Sequence, residues 1–123
     1  MNRAEPVFDI TERAFNFATR IVKLCRYLET NSGVSRSLIS QLLNAGTSVG
    51  ANLEEAEAGQ SRRDFVHKNA IALKEARETR YWLRLIVATH EFDSSQGIRM
   101  EDLIDEASQI AKIVAKIMIN TQK

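Results

Sequence analysis

Seven cations, Arg62, Arg63, Lys68, Lys74, Arg77, Arg80 and Arg84, fall within 23 residues of the chain, against the carboxylates of Asp64, Glu75 and Glu78, for a local charge of +4. Placed on a helix, Arg63, His67, Lys74, Arg77, Tyr81 and Arg84 share one side, which makes a basic strip with an aromatic ring inside it. Such a strip can track the phosphates of a nucleic acid. It can equally be a solvated helix face, with part of its charge consumed by the acidic run Glu54, Glu55 and Glu57. The whole-chain pI of about 7.9 favours that second reading of the strip taken alone.

Other residue groupings carry less chemistry. Carboxylate-bridged metal centres in helical bundles use paired Glu-x-x-His motifs, and only Asp64 with His67 has a comparable spacing. His90 has no carboxylate three residues before it, so neither a metal nor another cofactor is expected. No nucleophile elbow, glycine-rich phosphate loop or dinucleotide fingerprint occurs, and Cys25 falls on an apolar stripe, so the chain does not read as an enzyme. Arg80 falls inside the apolar stripe expected around Leu73, Ala76 and Leu83, where an unpaired guanidinium is destabilising. A polar cluster of Arg80 with Asn52, Glu54 and Glu55 of the preceding helix is therefore expected, with an architectural role.

The elements that must position these groups follow from the apolar spacing. A chain of 123 residues has room for one domain, and 44% apolar with 27% charged residues is an ordinary globular composition. The net charge of +1 excludes a generally basic coat protein, so any charged ligand must be met by a local patch. One cysteine cannot form an internal disulfide, no leading apolar stretch reads as a signal peptide, and no apolar run is long enough to span a membrane; a cytoplasmic setting is expected.

The single proline, Pro6, precedes every periodic segment. Apolar residues at three- and four-residue steps then predict helices over 11–29, 36–58, 62–90 and 99–120. Turn-forming residues separate them at Thr30 to Gly33, at Gly59 and at Asp93 to Gly97. Ser61 and Asp64 have the spacing of a capping box. The stripe expected on the third helix is Phe65, Ala72, Leu73, Ala76, Leu83 and Val87. Early acids and late lysines Lys112 and Lys116 on the fourth helix suit the helix dipole. Four amphipathic helices with short connections predict an all-α, antiparallel, up-down-up-down four-helix bundle.

The second helix carries a further apolar stripe at Ile39, Leu43, Gly46 and Gly50, displaced by roughly 100° from its main one. Phe15 and Val22 repeat this weakly on the first helix, and Tyr81, Trp82 and Leu85 lie off the main stripe of the third. The Gly46 and Gly50 pair would admit another helix at close range. These residues are expected to form an interface between identical subunits. The alternative is that the second helix is simply covered on several sides within one protomer.

The segment Ala45 to Leu85, AGTSVGANLEEAEAGQSRRDFVHKNAIALKEARETRYWLRL, resembles the signature of the four-helix-bundle proteins encoded by 23S rRNA intervening sequences. The matching positions are Asn52 and Glu55, Ser61 and Phe65, then Ala72, Leu73, Glu75, Ala76 and Glu78, while Tyr81 and Trp82 match a common subgroup. Many relatives have Ala-Asn-Ile-Ala-Glu-Gly where this chain has Ala51 to Ala56, a departure that bears on subgroup. The resemblance implies a homopentameric ring and no established enzymatic activity. The name ribosomal protein borne by some members reflects the location of the gene. A related branch, the accessory protein of diversity-generating retroelements, is a basic pentamer that binds nucleic acid. With that branch in view, structured RNA or DNA on the third-helix strip is the expected ligand, and a protein-interaction scaffold is the alternative.

Overall fold

The computed structural model describes residues 9–90 and 99–122. Pro6 and the turn expected at Asp93 to Gly97 lie outside the described residues. Among the described residues there are four helices: α1 (Ile10–Asn31), α2 (Arg36–Glu57), α3 (Arg62–Thr89) and α4 (Met100–Gln122). They form an antiparallel four-helix bundle in which each helix packs on the next in sequence, and of the neighbouring pairs α1 and α4 touch least. At 1.5 Å rise per residue, α3 is about 42 Å long and sets the height of the bundle.

The helix starts are local decisions. Asp9 accepts from the amides of Thr11 and Glu12, Ser35 from that of Leu38, and Ser61 from that of Asp64, each satisfying donors that the first turn leaves open. Of the capping box, the structure shows the Ser61 half. The first reversal needs Gly33, whose φ of 80° is left-handed. Helix α1 continues through Thr30 and Asn31, both expected in the turn, because their side chains donate back to the carbonyls of Arg26 and Tyr27.

Phe17, Ile21, Leu24 and Leu28 of α1 meet Leu42, Val49 and Leu53 of α2, Leu83 and Ile86 of α3, and Leu103, Ile110 and Val114 of α4 in one core. The α3 stripe differs from the expected one. Its buried positions are Asn69, Ala72, Ala76, Thr79, Leu83 and Ile86, with Leu73 and Val87 only half-buried. Two polar residues can stand in the core because each hydrogen-bonds within its own helix: Asn69 Nδ2 donates to Phe65 O at 2.9 Å and Thr79 Oγ1 to Glu75 O at 2.7 Å.

The second stripe of α2 is covered by α1 of the same chain. Ile39, Gly46 and Gly50 are buried, and a β-carbon added at Gly46 would stand 2.8 Å from Ile21 Cγ2. At Gly50 it would meet Ala14 at 3.5 Å. The close approach that the glycine pair permits is thus made inside the protomer, and these three residues are withdrawn from any subunit interface. Leu43 and Trp82 are half-buried against the core, and Val22 and Leu85 are also half-buried. Phe15 and Tyr81 stay exposed, at 62% and 53%.

Candidate nucleic-acid interface on α3

Two contacts orient α3 in the bundle. Lys68 Nζ lies 2.6 Å from Glu55 Oε1, so the Lys68 flank is turned to α2. Arg77 and Arg80 face Ala107, Ala111 and Ala115 across a groove, so their flank is turned to α4. At roughly 100° per residue, Asp64, Glu75 and Glu78 all lie within about 80° of Lys68. Arg62, Arg63, Lys74, Arg77, Arg80 and Arg84 instead occupy an arc of about 120° running from the outer face to the α4 flank. No carboxylate of α3 shares that arc. The acids are segregated to one edge of the helix and the cations to the other.

Electrostatics follows this division. Glu75 is raised above the usual carboxylate range, first by burial and then by the charge of Glu78, against the pull of Lys74. Arg62, Arg63, Lys74, Arg77 and Arg84 are exposed and form no ion pair among the described residues. Lys68 is the member of the expected strip that the α2 acids do neutralise, through Glu55, and it lies off the strip. From Arg63 to Arg84 the unpaired cations extend over about 31 Å, with the exposed ring of Tyr81 among them.

The expected polar cluster is not assembled. Asn52 Nδ2 donates to Ser48 O of its own helix at 2.9 Å, Glu54 is exposed, and Glu55 is taken by Lys68. Lys68 is level with Glu55, and Arg80 lies twelve residues further along α3, about 18 Å away along its axis. That distance puts Arg80 out of reach of the α2 acids. It stands instead at the α4 flank, half-buried, with its Nε enclosed and without a hydrogen-bond partner among the described residues. The expected stripe took in Leu73 and Val87 and passed over Thr79 and Ile86, and that choice turns it toward α4 and onto Arg80.

Two recesses line the α3–α4 seam. One, of about 270 Å³, is bounded by Arg77, Arg80, Ser108 and Lys112 over a floor of alanines. The other, wider and at the start of α3, brings Arg62, Arg63 and His67 beside Val66, Met118 and Gln122. Lys112 and Ser108 were not among the expected site residues. Their signal was the spacing of Ala107, Ala111 and Ala115, which marks a groove flank of α4 on which Ser108 and Lys112 lie one turn apart.

Cys25 is buried, with Sγ 3.8 Å from Ile39 O, and burial, then the charge of Glu29, pushes its thiol up to about 11. A thiol held protonated there is packing material. No group of three or more histidine, cysteine or acidic side chains is gathered as a metal site among the described residues. None of the described helices is long and apolar enough to cross a membrane.

The 23S rRNA-intervening sequence protein family matches residues 7–114. A crystal structure of a protein of unknown function from the S23 ribosomal protein family of Bacteroides thetaiotaomicron superposes with a TM-score of 0.81 at 38% identity, covering 89% of this chain and 98% of that one. No curated protein matches the chain.

Proposed function

From the premise that the chain belongs to the 23S rRNA-intervening sequence protein family, we propose that it is a non-enzymatic protein that binds the phosphate backbone of structured RNA or DNA along α3. The observation that carries this reading is the segregation of charge on that helix. Arg62, Arg63, Lys74, Arg77 and Arg84 stand exposed and unpaired on an arc without a carboxylate, while Asp64, Glu75 and Glu78 lie toward α2. A merely solvated face gains nothing from such sorting, since interspersed opposite charges stabilise a helix surface better. A patch with a net charge of its own also answers the weak charge of the whole chain, because a phosphate backbone responds to the local field.

The reading includes self-association, with a ring repeating the strip and multiplying a modest local attraction. Since α1 covers the glycine face of α2 and Tyr81 belongs to the strip, the contact with a second copy falls to the exposed Phe15 and to half-buried Trp82, whose indole Nε1 has no partner among the described residues. A micromolar mass equal to one chain by light scattering would refute this part. Retention of duplex and hairpin probes over a salt series tests the binding. We expect affinity to fall steeply with salt, and neutralising Arg63, Lys74 and Arg77 to flatten the slope on duplex DNA by about 0.9 for each phosphate that is no longer neutralised. No retention at about 50 mM salt, or a slope unchanged by the three substitutions, overturns it.

A further inference from the structure

We propose that the middle of the α3–α4 groove is a seat for a single phosphoryl group, gripped by Arg77 and Arg80 from one helix and by Lys112 and the Ser108 hydroxyl from the other. The proposal deepens the reading of α3 as a backbone-binding surface. It rests on that reading only for one source of the group, a nucleic acid, the other source being free phosphate.

Arg80 is the reason to look there. Its guanidinium begins below the surface, and Nε, a donor with no acceptor capacity, is cut off from solvent and has no partner among the described residues. A buried N–H left open is destabilising, and neighbouring Arg77 and Lys112 add like-charge repulsion with no carboxylate lining the groove to offset it. An oxyanion bound between the helices offsets that repulsion and gives the outer nitrogens of the Arg80 guanidinium, held in place by the buried Nε, an acceptor. The floor supports this: Ala107, Ala111 and Ala115 recur every four residues, keeping α4 free of bulk where the three cations converge.

The donor set selects the ligand. A guanidinium presents N–H groups in a planar fork suited to two oxygens of one group, and a lysine adds a point charge from the opposite wall. A phosphoryl group offers three oxygens to donors arriving from two helices. A carboxylate has two oxygens and one charge, which leaves part of the set unanswered. The groove volume of about 270 Å³ accommodates a phosphoryl group with the start of whatever it esterifies, and is too small for a folded segment of protein.

The test is the binding of inorganic phosphate to the full chain by calorimetry, with ionic strength held constant by chloride. Four proteins are compared: the parent chain, Lys112→Gln, Arg80→Met and Lys116→Gln. Lys112 and Lys116 are both exposed, so their variants keep the fold, and Lys116 does not line the groove. Saturable binding is expected in the parent, weakened about tenfold or more by Lys112→Gln and by Arg80→Met and unchanged by Lys116→Gln. A response to phosphate no greater than that to chloride overturns the seat, as does full affinity in Lys112→Gln. A nucleic-acid probe run beside it separates the two ideas. Phosphate bound without any nucleic-acid retention leaves the seat standing and removes the function proposed above, whereas retention without phosphate binding does the reverse.

Discussion

Replacing Gly46 and Gly50 in turn by alanine should move stability in opposite directions, although both sit in the same helix one turn apart. In a helix interior, glycine to alanine contributes about 1 kcal/mol through backbone entropy. At Gly50 nothing opposes that gain, since the new β-carbon meets Ala14 at 3.5 Å, an ordinary contact, and stabilisation of about 0.5–1 kcal/mol is expected. At Gly46 the β-carbon would stand 2.8 Å from Ile21 Cγ2, 3.0 Å from Cγ1 and 3.2 Å from Cβ. Rotation about χ1 cannot relieve a clash that includes Cβ itself, and Ile21 is fully buried. Overpacking of about 1–3 kcal/mol then outweighs the entropy gain and leaves a net loss of about 1 kcal/mol, or roughly 4 °C in melting temperature for a chain of this size. Urea unfolding followed by circular dichroism, at one protein concentration for all variants, measures both. A double-mutant cycle isolates the cause: in an Ile21→Ala background, itself destabilised by about 2–5 kcal/mol, Gly46→Ala should become neutral or stabilising. A drop in stability at Gly50 as large as that at Gly46 would refute this packing and return the glycine pair to a contact with another copy.

Arg80→Met should raise stability by about 1 kcal/mol, because it removes a buried donor with no partner and keeps the apolar stem; lower stability in urea unfolding would show that Nε is satisfied after all. Arg13 donates from Nε and Nη2 to the two oxygens of Glu106 at 2.6 and 2.7 Å and ties α1 to α4 where they touch least, so a double-mutant cycle of Arg13→Met and Glu106→Gln should give a coupling of about 1–2 kcal/mol, above that of an exposed pair. Cys25, held protonated by burial, should react with an aromatic disulfide reagent at pH 8 about a hundredfold more slowly in the folded chain than in urea. Its folded value exceeds the unfolded one, so the unfolded chain releases the proton first, and stability present below about pH 8.5 is lost as pH rises toward about 11; alkaline unfolding of Cys25→Ala should lack that contribution.

Family, fold and helix boundaries were legible in the sequence because each rests on something local. Asp9, Ser35 and Ser61 cap by reaching their own second or third amide, Gly33 takes the left-handed turn, and a three-and-four spacing makes an amphipathic helix whatever lies opposite. The basic strip was legible for the same reason, as angles on one helix. Local rules gave false guidance where a polar side chain could satisfy itself. Thr79 bonds to its own helix and enters the core, and a stripe that passed over it and Ile86 in favour of Leu73 and Val87 was turned toward α4 and drew Arg80 into it.

The amino-acid order by itself determined four capped rods, the angular width of their apolar arcs and the clustering of cations on α3. Tertiary structure alone decided what stands against each arc. It gave the glycine face of α2 to Ile21 and Ala14 rather than to a second subunit, Glu55 to Lys68 rather than to Arg80, and Arg80 to a groove completed by Lys112 and Ser108 of α4. Helical periodicity fixes directions around one axis, whereas a partner is fixed by the height and tilt at which two axes meet, and those emerge only when all the side chains pack together.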